Sequence, residues 1–315
     1  MRTLTVISPV YNEERVILAF HGELRRALDG LGGWRSSVLY VVERGSDRSL
    51  ELLRGLAAAE PEVSVLALSS RFGQQAALLA GLDHCDADAV VMLDSDLQHP
   101  PAVIHELVAR HEQGFDVVYT IREDSASIPL LKRLSAQAFY RLLNAISETP
   151  VHPGAADFRL LSRRVVEVFQ RQLRERTLFL RGLVNWVGFR SSAVSFRAGA
   201  RAGGNTKYPF GRMLRFGFSG IVSFSRAPLR LAGLAGLGVL AAGLLAFAFG
   251  VLQLAAQQPV SERALLLAAI GVVGGAQLVF TGVLGEYLAA VLDEVRARPH
   301  YIVEERINLA ARDSS

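Results

Sequence analysis

Two carboxylates one residue apart, Asp94 and Asp96, close the run Ala89-Val90-Val91-Met92-Leu93-Asp94-Ser95-Asp96-Leu97-Gln98. The apolar part is short enough for a buried strand, and it gives way to acid abruptly. In an open parallel sheet, ligands gather in the crevice beyond the carboxyl ends of the strands. Hard cations such as Mg2+ and Mn2+ take oxygen ligands and often share them with a substrate's phosphates. Asp94, Asp96 and the amide oxygen of Gln98 therefore read as a metal-diphosphate clamp. The plainer alternative is a strand that runs into a solvated acidic turn.

The elements around this clamp alternate. Strand-like runs at Leu4–Pro9, Val38–Glu43, Val63–Leu68, Ala89–Asp94 and Val117–Thr120 are separated by helical patterns at Glu14–Leu31, Leu50–Ala59, Gln74–Asp83 and Pro101–Gln113. Such alternation predicts an α/β fold with a doubly wound, mostly parallel sheet. Each strand is followed by polar residues, among them Tyr11-Asn12-Glu13, Glu43-Arg44-Gly45-Ser46-Asp47 and Ser69-Ser70-Arg71, which would line one edge of that sheet. There is no Gly-x-x-x-x-Gly-Lys and no Gly-x-Gly-x-x-Gly after the first strand, so P-loop and dinucleotide-binding readings lose support. His84, His99, His105 and His111 recreate no common zinc spacing and read as ordinary surface or helix histidines. Trp186, in the apolar segment 184–189, reads as packing in a core or against a membrane, with acceptor stacking as the alternative.

The composition shifts near residue 230. No charge occurs from Leu231 to Ala256 or from Ala264 to Gly285, and each run is long enough to cross a hydrocarbon core of roughly 30 Å. Two transmembrane helices within 231–290, joined by the short Pro-containing segment Gln257–Arg263, would form an antiparallel hairpin with both flanks on one side. Arg212, Arg215, Arg226 and Arg230 precede the first run and Arg296 and Arg298 follow the second, which favours a cytosolic placement of the flanks. Residues 207–230 set Arg212, Arg215, Ser219, Ser223, Arg226 and Arg230 against Phe210, Leu214, Phe218 and Ile221. That pattern predicts an amphipathic helix, lying in the interface or packed on the soluble part. The organisation expected is a catalytic domain over 1–206, an interfacial segment over 207–230, the hairpin over 231–290 and a cytosolic tail over 291–315. The amino-terminal run Met1–Ile7 leads straight into a strand and shows no signal-peptide pattern. Cys85 is the one cysteine, which excludes an intramolecular disulfide. The net charge of +4, with arginines beside the apolar runs, fits anionic lipid better than nucleic acid.

Several segments together resemble the GT-A glycosyltransferases of family 2, in particular the polyprenyl-phosphate sugar transferases related to dolichyl-phosphate mannose synthase and the bactoprenol glucosyltransferases. They are Ser8-Pro9-Val10-Tyr11-Asn12-Glu13-Glu14, Asp94-Ser95-Asp96-Leu97-Gln98-His99-Pro100-Pro101, Ala156-Asp157-Phe158-Arg159-Leu160-Leu161, Phe179-Leu180-Arg181-Gly182 and Arg201-Ala202-Gly203-Gly204-Asn205-Thr206-Lys207-Tyr208-Pro209. The tail Arg298-Pro299-His300-Tyr301-Ile302-Val303 resembles the bactoprenol branch. The resemblance implies an inverting GT-A enzyme on the cytosolic face of a bacterial inner membrane, and a homotetramer. Its donor would be a UDP- or GDP-sugar, its acceptor a polyprenyl phosphate such as undecaprenyl phosphate, and its cofactor Mg2+ or Mn2+. It places the donor at Pro9, Tyr11, Glu13 and Glu43, and the metal at Asp94, Asp96 and Gln98. Arg122, Lys132, Arg133 and Ser135 would gather at the phosphates, Arg201 and Lys207 at the lipid phosphate, and Asp157 at sugar hydroxyls. The chemistry agrees: a phosphate monoester, with a second pKa of about 6, is already an anionic nucleophile, so charge neutralisation matters more than a general base.

Two segments depart from the family pattern. Where the second strand ordinarily ends in Val-Asp-Asp-Gly-Ser-x-Asp, this chain has Val42-Glu43-Arg44-Gly45-Ser46-Asp47, which reverses one charge beside the expected base site. Ser70-Arg71-Phe72-Gly73-Gln74-Gln75 is one residue shorter than the family's Ser-Arg-Asn-Phe-Gly segment and carries Gln74 where Lys is frequent. These changes keep a second reading alive, a membrane-bound pseudoenzyme that binds lipid phosphate or partner subunits. A processive polysaccharide synthase lacks support, because no Gln-x-x-Arg-Trp is present and two spans are few for an export channel.

Overall fold

The computed structural model describes residues 1–123, 155–175, 180–197 and 262–309, with short helical pieces between 235 and 248. The chain divides into two compact units, one of residues 1–142, 149–207 and 298–315 and the other of residues 143–148 and 208–297.

The first unit is an eight-stranded sheet in the order β7-β5-β6-β4-β1-β2-β3-β8. In chain order its elements begin β1 (Arg2–Val10), α1 (Ile17–Asp29), β2 (Trp34–Val42), α2 (Ser49–Ala59), β3 (Val63–Leu68), α3 (Gln74–Asp83) and β4 (Ala89–Met92). A 3-10 turn (Pro101–Val103) then opens α4 (Ile104–Glu112), followed by β5 (Val117–Glu123) and β6 (Ala155–Ser162). The set closes with α5 (Arg163–Arg171), α6 (Leu180–Trp186), β7 (Ser191–Arg197) and β8 (Val303–Ile307). β1 pairs in parallel with β2 and β4, β2 with β3, and β5 with β7. β6 runs antiparallel to both β4 and β5, and β8 antiparallel to β3.

The central strands are apolar on both faces because helices cover both. One face carries Leu4, Val6, Val38, Tyr40, Val65 and Val91 against Ile17, Phe20 and Leu24 of α1, Leu53 of α2 and Ile104 of α4. On the other lies α3, buried from Ala76 to Leu82 and apolar around its whole circumference, as a helix enclosed in a core must be. Gly81 is what lets it approach: a Cβ there would fall 2.3 Å from Ile7 Cγ2.

The tail over 291–315, expected as a cytosolic segment, supplies an edge strand to this sheet. Its alternating Val303-Glu304-Glu305-Arg306-Ile307 is the pattern of a strand with one face on protein and one on water. Trp186 stands 60% exposed at the end of α6, which removes the core alternative and leaves membrane packing and acceptor stacking.

In the second unit, α7 (Glu262–Arg296) is 35 residues long, or about 52 Å at 1.5 Å per residue. Its part Val272–Arg296, with a mean hydropathy of 1.4, is long and apolar enough to cross a membrane. Leu266, Ile270, Val279, Leu288 and Val295 along it are exposed. It contains the predicted second span and continues past residue 290. The predicted interfacial segment 207–230 lies outside the described residues, as does most of the first span.

Candidate active site

Register places the polar ends of four adjacent strands side by side. Pro9 and Val10 of β1 stand opposite Val41 and Val42 of β2, and Ile7 stands opposite Met92 of β4. The chain then continues into Tyr11–Glu13, Glu43 and Asp94–Asp96, while β3 leads into the loop 69–73. A cavity of about 250 Å3 opens there, lined by Pro9, Val10, Tyr11, Glu13, Glu43, Arg71, Gln74, Asp94, Ser95 and Asp96. The fold therefore gathers the predicted donor residues Pro9, Tyr11, Glu13 and Glu43 with the predicted metal carboxylates.

Each wall is held by specific bonds. Asn12 adopts a φ of 57°, which Asn tolerates, and its Oδ1 accepts the Ser46 N–H at 2.9 Å. Gly45 makes this turn possible, since a Cβ there would fall 2.2 Å from Asn12 Oδ1. Glu13 donates its backbone N–H to Ser49 Oγ at 2.9 Å, and that hydroxyl donates to Asp47 Oδ2 at 2.9 Å. Burial first, then the charges of Asp96 and Asp47, push the Glu13 carboxyl above the ordinary range. The buried Glu43 accepts the backbone N–H of Gly73 at the start of α3. The Arg71 guanidinium lies 4.0 Å over the Tyr11 ring, a cation-π distance. Arg44, expected to reverse the sign beside the base, is exposed and reaches the Ser69 carbonyl at 3.4 Å, so its charge is spent outside the cavity lining.

Asp94 Oδ1 accepts from Gln74 Nε2 at 2.7 Å. Leu97, at a φ of 60°, folds the chain back so that Gln98 meets Asp96 twice. The Gln98 backbone N–H donates to Oδ1 at 3.0 Å and its amide Nε2 to Oδ2 at 2.6 Å. The amide gives its nitrogen to the carboxylate, a strong acceptor, and so fixes Asp96; the oxygen expected to meet a metal is the other end of the same amide. Among the described residues no three His, Cys, Asp or Glu side chains converge as metal ligands. Two carboxylates at one end of an acidic cavity still fit a hard cation that completes its shell with water and substrate phosphate.

Asp157 is buried on β6, 3.5 Å from Arg159, and is not among the lining residues. On antiparallel strands it precedes Arg159 by two residues as Asp94 follows Met92 by two, Met92 and Arg159 being the last pair joining β4 to β6. Arg122 is in β5, in register with Phe196. Lys132, Arg133, Ser135, Arg201 and Lys207 lie outside the described residues. The four predicted histidines sit in separate surroundings. His84 Nδ1 meets the Ala80 carbonyl, His111 Nδ1 the Phe115 carbonyl, and His105 packs against Gly30. His99 has its ring between Phe158 and Phe196. Arg71 was legible as part of the polar run after β3 that would line the sheet edge, whereas Gln74 stood out only as a departure from the family pattern.

A mostly parallel, doubly wound sheet with an Asp-x-Asp pair at the mouth of its polar edge defines a GT-A-like α/β protein. Residues 5–169 match Glycosyl transferase family 2, and the chain belongs to that family. The chain is 36% identical to the uncharacterized glycosyltransferase YkcC of Bacillus subtilis, over 96% of this chain and 93% of the relative. It is 35% identical to the SfII prophage-derived bactoprenol glucosyl transferase of Shigella flexneri, over 96% of this chain and 97% of that protein. A solved structure of glucosyl-3-phosphoglycerate synthase from Mycobacterium tuberculosis, in complex with Mn2+, UDP-glucose and phosphoglyceric acid, is 20% identical. It aligns with a TM-score of 0.47 over 70% of this chain and 79% of that one.

Proposed function

We propose that this chain transfers a sugar from a UDP- or GDP-sugar to a polyprenyl phosphate, such as undecaprenyl phosphate, at the cytosolic face of a bacterial inner membrane. The observation that carries the reading is the cavity in which Tyr11, Glu13 and Glu43 share walls with Asp94 and Asp96. Family membership and the bactoprenol glucosyl transferases among its relatives support the acceptor class.

In this reading the acceptor's phosphate oxygen attacks the anomeric carbon, the bond from that carbon to the diphosphate breaks, and the nucleoside diphosphate leaves with the electron pair. The configuration inverts. Asp94 and Asp96 would hold Mg2+ or Mn2+, whose chemistry there is neutralisation of the diphosphate's charge. Gln74 and Gln98 keep those two carboxylates aimed. Tyr11 offers an aromatic wall to the nucleobase, with Arg71 on its face, and Glu43 is fixed in place by the Gly73 amide. Arg122, Lys132, Arg133, Ser135, Arg201 and Lys207 would lessen repulsion between donor and acceptor phosphates, and Asp157 would meet sugar hydroxyls.

The test is transfer of radiolabel from a panel of UDP-, GDP- and dTDP-sugars to undecaprenyl phosphate by the detergent-extracted protein. We expect chloroform-soluble label with at least one donor, and its loss in Asp96→Asn with membrane association intact. No transfer with any donor beside an active relative would leave a binding protein, and unchanged turnover in Asp96→Asn would remove the metal assignment.

A further inference from the structure

The residues that follow α7 in the chain reach the donor loop. Ser69, the first residue after β3, donates its backbone N–H to the carbonyl of Ile302 at 2.9 Å. The preceding tail residue, Tyr301, donates its phenol to Asp83 Oδ2 at 2.7 Å. Ser69 and Asp83 are the two ends of one segment, the loop 69–73 followed by α3. The groups that line or hold the cavity lie in its first half: Arg71 over Tyr11, the Gly73 amide on Glu43, and Gln74 on Asp94.

Two adjacent tail residues thus pin both ends of the stretch that builds one wall of the cavity. The loop has no regular structure of its own, and no side chain caps the start of α3. A loop of this kind takes its position from its ends, and a site loses function when its supporting contacts let it drift by about 0.5 Å. Burial, and then the Asp83 charge, push the Tyr301 phenol well above its ordinary range, so it stays protonated as a donor. Arg174, just past the end of α5, meets the same Asp83 carboxylate at 2.9 Å, which makes that anchor firm. The other end of the tail strand is held elsewhere: Asn308 Nδ2 donates to the carbonyls of Ala57 in α2 and of Val63 at the start of β3.

We infer that Tyr301 and Ile302 are positioning residues for the nucleoside diphosphate of the donor, acting through the loop 69–73 and α3. This rests on the donor-cavity reading above. The test uses the full-length protein in detergent as wild type, Tyr301→Phe and Asn308→Ala. Tyr301→Phe keeps the ring beside His84 and removes only the bond to Asp83. Asn308→Ala loosens the strand at the end remote from the loop. We expect Tyr301→Phe to weaken UDP or GDP binding in the presence of Mn2+ by about fivefold, the lower range of coupling between linked sites. The donor KM should rise by the same factor, with the polyprenyl phosphate KM unchanged, and hydrogen exchange should quicken at the amides of Ser69 and Gly73. Asn308→Ala should change none of these. Equal effects of the two variants, or no effect of Tyr301→Phe on binding and exchange, would overturn the inference. Wild-type protein that bound neither nucleotide would instead remove the donor-cavity reading, and the exchange rates alone would then decide whether the tail holds the loop.

Discussion

Glu13 is the residue at which charge and stability oppose each other. Its raised pKa means that the fold favours its protonated form, so its contribution to stability is full below the ordinary value of 4.5 and is lost as pH rises through the folded value. At neutral pH its charge is a cost to the protein alone and an asset toward a cation. Glu13→Gln should therefore raise the melting temperature of the metal-free protein at pH 7 and weaken Mn2+ binding. In the wild type, Mn2+ affinity should begin to fall on acidification above pH 4.5, and calorimetry across pH should find that fall shallower in the variant. Gln74 acts from one bond further out, through Asp94. Outer-sphere partners of this kind are worth about tenfold or more in metal affinity. Gln74→Ala should show a loss of that order in a Mn2+ titration, with the melting temperature nearly unchanged. Asp94 and Asp96 were legible in the sequence because they end a buried-strand pattern at the edge where such a sheet gathers ligands, and because they fall within a segment that resembles the family. Gln74 and the Gly73 amide were not, because their roles depend on where a short loop carries them relative to β2 and β4.

At the scale of elements, the site depends on how closely α3 lies on β1. Gly81 faces Ile7, which is fully buried, and neither the strand nor the enclosed helix has open space to yield into. Gly81→Ala should cost about 1–3 kcal/mol, the usual range for overpacking a core, read from urea denaturation of the full-length protein. Because α3 begins with Gln74, the shift should also weaken binding of UDP with Mn2+. The strands β1 to β4 were readable as contiguous apolar runs, and β3 and α3 begin and end where expected. β6, β7 and β8 were not read from the sequence, for physical reasons. β6 enters antiparallel between β5, the strand before it in the chain, and β4, which is more distant, a choice made by tertiary pairing. β8 is so rich in charge that its alternation looks like a solvated tail until β3 supplies a partner.

For the whole molecule, the sheet itself constrains the path through a bilayer. β1 and β8 belong to one sheet, so the chain that leaves after β7 must return to the side it left. If α7 crosses the membrane, the number of crossings between residues 198 and 302 is even, and another must precede α7. In the hairpin predicted from the sequence, the uncharged run 231–256 would supply it, and the strand status of the tail is a second argument for that hairpin beside hydropathy. The joining segment, around Ser261, should then lie on the side opposite the catalytic domain. In a Cys85→Ala background, Ser261→Cys should react with a membrane-impermeant maleimide added outside intact cells. Ser314→Cys should react only after the membrane is opened. Labelling of both from the same side would leave α7 and the preceding run outside the bilayer as spans, and would require another partner for the exposed apolar surface of α7.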